Sequence, residues 1–189
     1  MLMTKKIDFL GLGQQSGQEL NGTMYAPDSY LSFLQRGNGN VSRFTSHGII
    51  RNSLAGVQKL NSNGEIENFN FDFYSEAFFR LLKMYEKQNL VLNWGGDHSV
   101  ALSTVSAFAY HYSNGYVLWI DAHADLNLPD HSITKNLHGM PMSLLLNLEE
   151  IAAKKLFWIK NFIDPQKLIY VGLRDLDPFE QQTLDQYQN

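Results

Sequence analysis

The sequence predicts an α/β protein, a three-layer α/β/α sandwich in which helices cover both faces of a mainly parallel sheet. Its candidate strands are continuous apolar runs, as in strands that are buried on both faces. Candidate helices separate these strands, the order expected of parallel strands joined by crossovers. With 189 residues and 44% hydrophobic content, the chain is long enough for one globular domain, residues 1–189.

The first half of the chain begins with a short buried strand, "IDFLGLG", at residues 7–13. A polar loop at 14–29 leads into a short helix near Ser32, and a Gly/Asn/Ser-rich connection follows at 37–46. "HGIIRN" is a weak strand candidate, and 60–70 is a polar loop. A clear helix comes next, because six apolar residues recur at three- and four-residue steps: Tyr74, Ala77, Phe78, Leu81, Leu82 and Tyr85.

In the second half, strands and helices alternate. "NLVLNWGG" is a strand that two glycines stop, and Asp97 can cap a helix that runs to about Tyr112. "YVLWIDAH" is the next strand, residues 142–150 the next helix, and "KLIYVGL" the next strand. A final helix starts near Asp177.

Composition excludes several functions. The net charge is −4 and the basic residues do not cluster, so the sequence does not indicate a basic surface that binds nucleic acid. The absence of cysteine excludes disulfides and thiolate metal sites, so any metal needs nitrogen and oxygen ligands. No apolar run reaches the ~20 residues that span a bilayer, and the N-terminus does not resemble a secretory signal. We therefore expect a cytoplasmic protein with no membrane partner.

The stretch "DAHADLN" places Asp121, His123 and Asp125 at every second position. On an extended segment these side chains point to one side, and two carboxylates so close repel unless a cation lies between them. His98, in the turn "GGDHS" after the preceding strand, is the natural fourth ligand. The alternative is a strand end with capping or solvated aspartates and hydrogen-bonded histidines.

Two further polar clusters follow strand ends or lie on loops. His138 in "NLHGMPMS" is suited to proton transfer beside a metal-bound hydroxide, or is an ordinary loop histidine. In "GLRDLDPFE", Asp177, Pro178 and Glu180 fit the start of a helix. Asp175 is not needed there, and acids grouped at this edge would attract a cationic substrate.

Together, "GGDHS", "DAHADLN", "NLHGMPMS" and "VGLRDLDPFE" resemble the ureohydrolases, the arginases in particular, over roughly residues 7 to 187. The first two motifs resemble the whole superfamily, including agmatinase and formimidoylglutamase. The last two resemble arginases specifically. The resemblance implies the arginase fold and a cytoplasmic, oligomeric hydrolase that acts on arginine, a guanidino substrate. It would release ornithine and urea with two Mn²⁺ ions per complete site.

Residue by residue, the resemblance implies that His98, Asp121, His123 and Asp125 bind the metals, with Asp121 bridging. His138 and Asp125 would be catalytic, His138 as the proton shuttle. Six residues would bind the substrate: Asn127, Thr134 and Asn136 at its carboxylate, and Asp175, Asp177 and Glu180 near its α-amino group. Threonine stands at 134, where serine is common, and lysine at 135, where glycine is usual.

The resemblance stops before a later family motif, Ser-x-Asp-x-Asp, whose aspartates also bind the metals. We therefore expect the later strands of the family sheet to be absent, an apolar edge or face to be exposed, and these 189 residues alone to have little arginase activity. Three interpretations stay open: the N-terminal portion of a longer arginase, a truncated non-catalytic homologue that binds metal weakly and oligomerises, or another ureohydrolase. The sequence leaves the physiological metal, the oligomeric state and the pathway open.

Overall fold

Strands and helices alternate along the chain in a computed structural model, which describes residues 5–36, 43–150, 156–160 and 162–187. In order, the elements are β1 (Ile7–Gly13), α1 (Ala26–Arg36), β2 (Phe44–Arg51), α2 (Phe71–Tyr85), β3 (Leu90–Gly95), α3 (Ala101–His111), β4 (Val117–Ile120), α4 (Pro141–Leu145), β5 (Leu168–Val171) and α5 (Pro178–Tyr187). Short 3₁₀ turns precede α1 and α3.

Every pairing between these strands is parallel. Strand β1 lies between β2 and β3, while β4 pairs with β5 in a separate sheet. The α/β class and the mainly parallel pairing are therefore confirmed. The structure differs from the single predicted sheet in that the strands form two sheets. In the described part of the chain, β3 and β4 do not pair with each other, and each has one edge without a strand partner.

The core explains why these segments form. Strand β1 buries Phe9, Leu10 and Leu12 completely, as expected of a strand covered on both faces. Helix α2 begins where the Asn70 side chain accepts a hydrogen bond from the Phe73 amide. The predicted face of α2 is buried except for the half-buried Leu82, and this helix packs against α3.

Three local predictions need correction. The segment 142–150 is not one helix: α4 ends at Leu145, and Asn147 and Glu149 have left-handed φ angles of 57° and 52°. The helix capped by Asp97 begins as a 3₁₀ turn before α3, although its end at His111 agrees with the predicted end near Tyr112. Strand β2 starts at Phe44, inside the stretch predicted as a connection; residues 37–42 of that stretch lie outside the described residues.

One face of the β4–β5 sheet is apolar and exposed. Leu118 pairs in register with Ile169, and Ile120 pairs with Val171. All four side chains are exposed, whereas Trp119, on the opposite face of β4, is buried. The expected exposed apolar face is thus present here. Separately, no helix in the described ranges is long and apolar enough to cross a bilayer.

Candidate metal centre and substrate cavity

A cavity of about 710 Å³ lies where β3 and β4 end. Ligands of parallel α/β proteins bind beyond the carboxyl ends of the strands, which is the position of this cavity. Its wall includes every residue that the sequence analysis places in a site: His98, Asp121, His123, Asp125, Asn127, Thr134, Asn136, His138, Asp175, Asp177 and Glu180. The fold therefore brings four motifs that are distant in sequence to one cavity.

Three of the four predicted metal ligands form a compact group. His98, Asp121 and Asp125 each offer one ligand atom, and these atoms lie within 4.8 Å of one another. Nδ1 of His98 is 2.7 Å from Oδ2 of Asp125 and 3.2 Å from Oδ2 of Asp121. The Oδ2 atom of Asp125 is buried and accepts no well-aligned hydrogen bond. Two carboxylates that converge on one imidazole nitrogen form a pocket of negative charge that suits a divalent cation.

The residues converge through a folded loop and not through an extended strand. Strand β4 ends at Ile120, and Asp125 has a left-handed φ of 53°. The prediction that strand alternation aligns the three side chains is therefore wrong in its geometry. Instead, the Asp121 amide donates to the Val171 carbonyl, and Oδ1 of Asp121 accepts a hydrogen bond of 3.0 Å from the His123 amide. This turn holds the first carboxylate at the end of the sheet.

The charges of this group affect one another. Burial disfavours the charged form of His98, but the carboxylates of Asp125, Asp121 and Asp97 outweigh it and raise the pKa of this histidine. For Asp121, burial favours the neutral carboxyl and would raise its pKa. The hydrogen bond from the His123 amide and the charge on His98 outweigh burial and lower the pKa of the Asp121 carboxyl. The ring of His98 also stacks on Trp119 at 4.5 Å between centroids, which fixes its orientation.

His123 lies outside this compact group. Its Nδ1 is 3.4 Å from Oδ1 of Asp121, and its Nε2 is 3.3 Å from Oδ2 of Asp175. The two oxygen atoms of Asp121 thus face different imidazoles, Oδ2 toward His98 and Oδ1 toward His123. A carboxylate in this position can serve two neighbouring cations.

Comparison with known proteins agrees with this geometry. Residues 5–189 match the family model described as "Arginase family". The chain belongs to the arginase family. The resemblance drawn from the four motifs is therefore confirmed at the level of the family.

Several arginases are similar to this chain. It is 34% identical over 188 residues to an arginase of Staphylococcus aureus strain MRSA252, covering 95% of this chain and 61% of that protein. A crystal structure of Bacillus subtilis arginase has a TM-score of 0.79 at 27% identity, covering 97% of this chain and 62% of that one. The Entamoeba histolytica arginase, solved in complex with L-ornithine, has a TM-score of 0.78 at 26% identity, covering 96% of this chain and 63% of that chain. The chain thus spans somewhat over 60% of the length of these three proteins.

Two acids of this arginase-family cavity, Asp177 and Glu180, are joined by a hydrogen bond at the start of α5. Glu180 is buried, and its two carboxylate oxygens accept hydrogen bonds from the amides of Leu126 (3.0 Å) and Asp177 (3.1 Å). Burial, with the charges of Asp125 and Asp177, outweighs these bonds and raises the pKa of Glu180. The Asp177 side chain accepts a 2.6 Å hydrogen bond from Asn127. Glu180 therefore stabilises the helix start and is the buried acid of the three, whereas Asp175 and Asp177 are exposed.

The loop that carries His138 closes another wall of the cavity. Oγ1 of Thr134 accepts a hydrogen bond of 3.3 Å from the amide of Asn136, and Lys135 between them has a left-handed φ of 59°. Asp97 caps the turn at His98 by accepting from the Ser99 amide, as predicted. Sequence reasoning missed Gly17, whose carbonyl contacts His138, and Ile133, a fully exposed residue of the cavity wall. Neither belongs to a periodic or charged pattern that would have marked it.

Proposed function

We propose that the cavity is the active site of an arginase-type hydrolase, which converts L-arginine to L-ornithine and urea with two manganese ions. The observation that carries this proposal is the group formed by His98, Asp121 and Asp125, whose ligand atoms lie within 4.8 Å of one another at the cavity. The alternatives are another ureohydrolase, such as agmatinase or formimidoylglutamase, and a non-catalytic homologue.

The residues fit a cation of the proposed kind. His98, Asp121 and Asp125 would hold one ion, and His123 would contribute to the second with the other oxygen of Asp121. Mixed imidazole and carboxylate ligands suit manganese and also admit iron, cobalt, nickel or zinc. When bound, the cations would supply a centre that lowers the pKa of a water molecule toward neutrality. The buried Oδ2 of Asp125, which faces Nδ1 of His98 at 2.7 Å, supports its assignment to both the metal-binding and the catalytic residues.

His138 is the proposed proton-transfer residue. It lies at the cavity wall, and its Nδ1 is 2.8 Å from the Gly17 carbonyl oxygen. A carbonyl only accepts hydrogen bonds, so Nδ1 is the protonated nitrogen of the neutral ring. Nε2 then carries the lone pair and is able to exchange a proton with a group in the cavity.

The proposed substrate residues form two chemically distinct sets. Asp175 and Asp177, with the buried Glu180, place negative charge where a cationic α-amino group would bind. Asn127, Thr134 and Asn136 offer amide and hydroxyl groups to a carboxylate. An amino acid carries both groups, and the similar arginase of Entamoeba histolytica was solved with L-ornithine. These points favour arginine over agmatine, which lacks the carboxylate.

Metal binding tests the proposal most directly. Calorimetric titration of the metal-free chain with Mn²⁺ should show binding that His98→Asn abolishes and His111→Asn leaves intact. His111 is a matched control because it stacks on Tyr85 at the end of α3, outside the cavity wall. Equal Mn²⁺ affinity in the wild type and His98→Asn would refute the metal site.

A substrate panel then tests the reaction. Urea release should be sought from arginine, agmatine and guanidinobutyrate, and hydrolysis from formiminoglutamate, with Mn²⁺ present. Where turnover is too slow to rank them, thermal stabilisation by ornithine should be compared with that by agmatine or its product. Preference for arginine and ornithine supports the proposal. Preference for agmatine would count against the roles of Asn127, Thr134 and Asn136.

The exposed face of the β4–β5 sheet favours an oligomerising protein as the second candidate. Leu118, Ile120, Ile169 and Val171 form one apolar surface, and such a surface can meet its own copy across a two-fold axis. We propose a homodimer formed through it. Analytical ultracentrifugation should show a dimer that Ile120→Thr weakens and Leu54→Thr, an exposed loop substitution, does not. A monomeric wild type would refute this interface.

The cytoplasmic location of the protein stays a prediction.

A further inference from the structure

His138 is anchored twice by one residue that is distant in sequence. The carbonyl oxygen of Gly17 accepts a hydrogen bond of 3.0 Å from the His138 amide and lies 2.8 Å from Nδ1 of its ring. The first contact fixes the backbone, and the second fixes the ring. Because a carbonyl has no proton to donate, the orientation of Gly17 decides which nitrogen of His138 faces it and in which tautomer.

Asp97 in turn holds Gly17. Its Oδ2 accepts a buried hydrogen bond of 2.8 Å from the Gly17 amide, and its own amide donates to the Gln14 carbonyl. A Cβ atom at Gly17 would lie 2.2 Å from Oδ1 of Asp97, so the carboxylate occupies the space that any other side chain would need. Asp97 therefore requires glycine at position 17 and fixes the peptide group directly before the one whose carbonyl contacts His138.

The Asp97 carboxylate is itself held in place by hydrogen bonds from Ser99. Its Oδ1 accepts hydrogen bonds from the amide and the hydroxyl of Ser99. The Ser99 hydroxyl is 2.8 Å from the hydroxyl of Tyr74, which is completely buried in α2. Buried charged groups that satisfy several donors at once keep one geometry, because each lost bond leaves a desolvated polar group.

We propose that Asp97 is a positioning residue that, through Gly17, holds His138 as the Nδ1–H tautomer with Nε2 toward the cavity. This goes beyond its role as the cap of the turn at His98. Only the role of Nε2 in proton transfer rests on the proposed function, since the tautomer of His138 itself requires neither metal nor substrate.

Nitrogen-15 NMR of the imidazole rings in the metal-free 189-residue chain tests this directly. The wild-type His138 should show the Nδ1–H tautomer, and the Gly17 amide should be protected from hydrogen exchange. Asp97→Ser keeps a side-chain oxygen that can cap the Ser99 amide but is too short to reach Gly17. We expect it to shift the His138 tautomer ratio toward Nε2–H by roughly five- to ten-fold, the effect of one hydrogen bond.

Two matched variants separate positioning from general loss of stability. Asp164→Asn alters another capping aspartate, at the 3₁₀ turn of Pro165–Lys167, and should leave the His138 spectrum unchanged. Tyr74→Phe destabilises the buried cluster but keeps the bond from Gly17 to Asp97, so the tautomer should again persist. An Nε2–H tautomer in the wild type would overturn the proposal, and so would an unchanged ratio in Asp97→Ser. If Asp97→Ser does not fold, the His138 tautomer ratio should be measured in Asp97→Asn, which replaces one acceptor oxygen of the side chain with a donor.

Discussion

Nδ1 of His98 lies 2.7 Å from Oδ2 of Asp125, and this contact joins two β-sheets between which no strands pair in the described residues. His98 follows β3 in the three-stranded sheet, and Asp125 follows β4 in the other. The ligand group therefore lies at the junction of the two sheets. A cation bound there would hold them together, so metal binding and folding stability should be linked.

We expect Mn²⁺ to stabilise the chain against thermal unfolding. A ligand that binds only the folded state, present at a hundredfold excess over its dissociation constant, adds about 2.7 kcal/mol. Differential scanning calorimetry with and without Mn²⁺ measures this, and EDTA should reverse it. Asp125→Asn should lose most of the increment because it removes one of the two carboxylates nearest to Nδ1 of His98.

The control for this prediction is Asp185→Asn, an exposed aspartate on α5 outside the cavity wall. It should keep the full increment. An equal rise in melting temperature for Asp125→Asn and the wild type would show that the ion stabilises the chain from a different site.

Gly96→Ala should destabilise the chain because Gly96 packs directly on the backbone of β1. A Cβ atom there would lie 2.4 Å from the Leu12 carbonyl oxygen and 2.8 Å from the Gln14 amide nitrogen. Backbone cannot move aside as a flexible side chain does, so we expect a loss of roughly 1–3 kcal/mol. Urea denaturation measures it. Gly139→Ala meets no atom within 4 Å and should change stability little; equal losses in both variants would contradict the packing argument.

The sequence predicted the sheet class and the clustering of the site because both depend on local patterns. Apolar runs such as that of β1 mark buried strands, and parallel strands end at the same edge. The division into two sheets was not predictable, since no local signal states which strands pair. The break after α4 was missed for a similar reason: the left-handed φ angles of Asn147 and Glu149 are not marked by glycine.

For the site, residue types were predictable and their mutual arrangement was not. Alternating acids and a histidine marked Asp121, His123 and Asp125, but the left-handed turn at Asp125, and not strand geometry, directs the last of them. The cap at α5 shows the same limit. Glu180 binds the Asp177 amide as the motif predicts, yet the Asp177 side chain contacts Asn127, which is distant in sequence.

Tyr74→Phe should lower stability by roughly 1–3 kcal/mol, because it leaves buried polar groups without a partner. The Tyr74 hydroxyl is 2.7 Å from Nε2 of Gln14, 2.6 Å from Oε1 of Gln58 and 2.8 Å from Oγ of Ser99. Burial raises the pKa of this phenol, with a further contribution from the charge of Asp97, so it stays protonated. Urea denaturation of this variant should be compared with Tyr110→Phe, whose exposed hydroxyl should matter little. Equal stability of the two variants would mean that the buried cluster contributes nothing.

At the opposite end of β1, Asp8 should make stability dependent on acid pH. Its carboxylate is buried, 3.0 Å from Nε2 of His47 and 3.0 Å from Nδ2 of Asn89. Burial opposes ionisation, but the hydrogen bonds from Asn89 and His47 prevail and lower the pKa of Asp8 below 3.8. A folded-state pKa below the unfolded value gives stability that is present above pH 3.8 and lost as the pH falls through the folded value.

Asp8→Asn should therefore be less stable than the wild type at neutral pH, by roughly 1–3 kcal/mol, the value of hydrogen bonds to a charged group. The difference should narrow as the pH falls below 3.8, because only the wild type then loses its carboxylate. Asp185→Asn, an exposed change, should show neither effect. Urea denaturation across this pH range measures both, and a difference that stays constant with pH would show that the carboxylate charge contributes nothing to the fold.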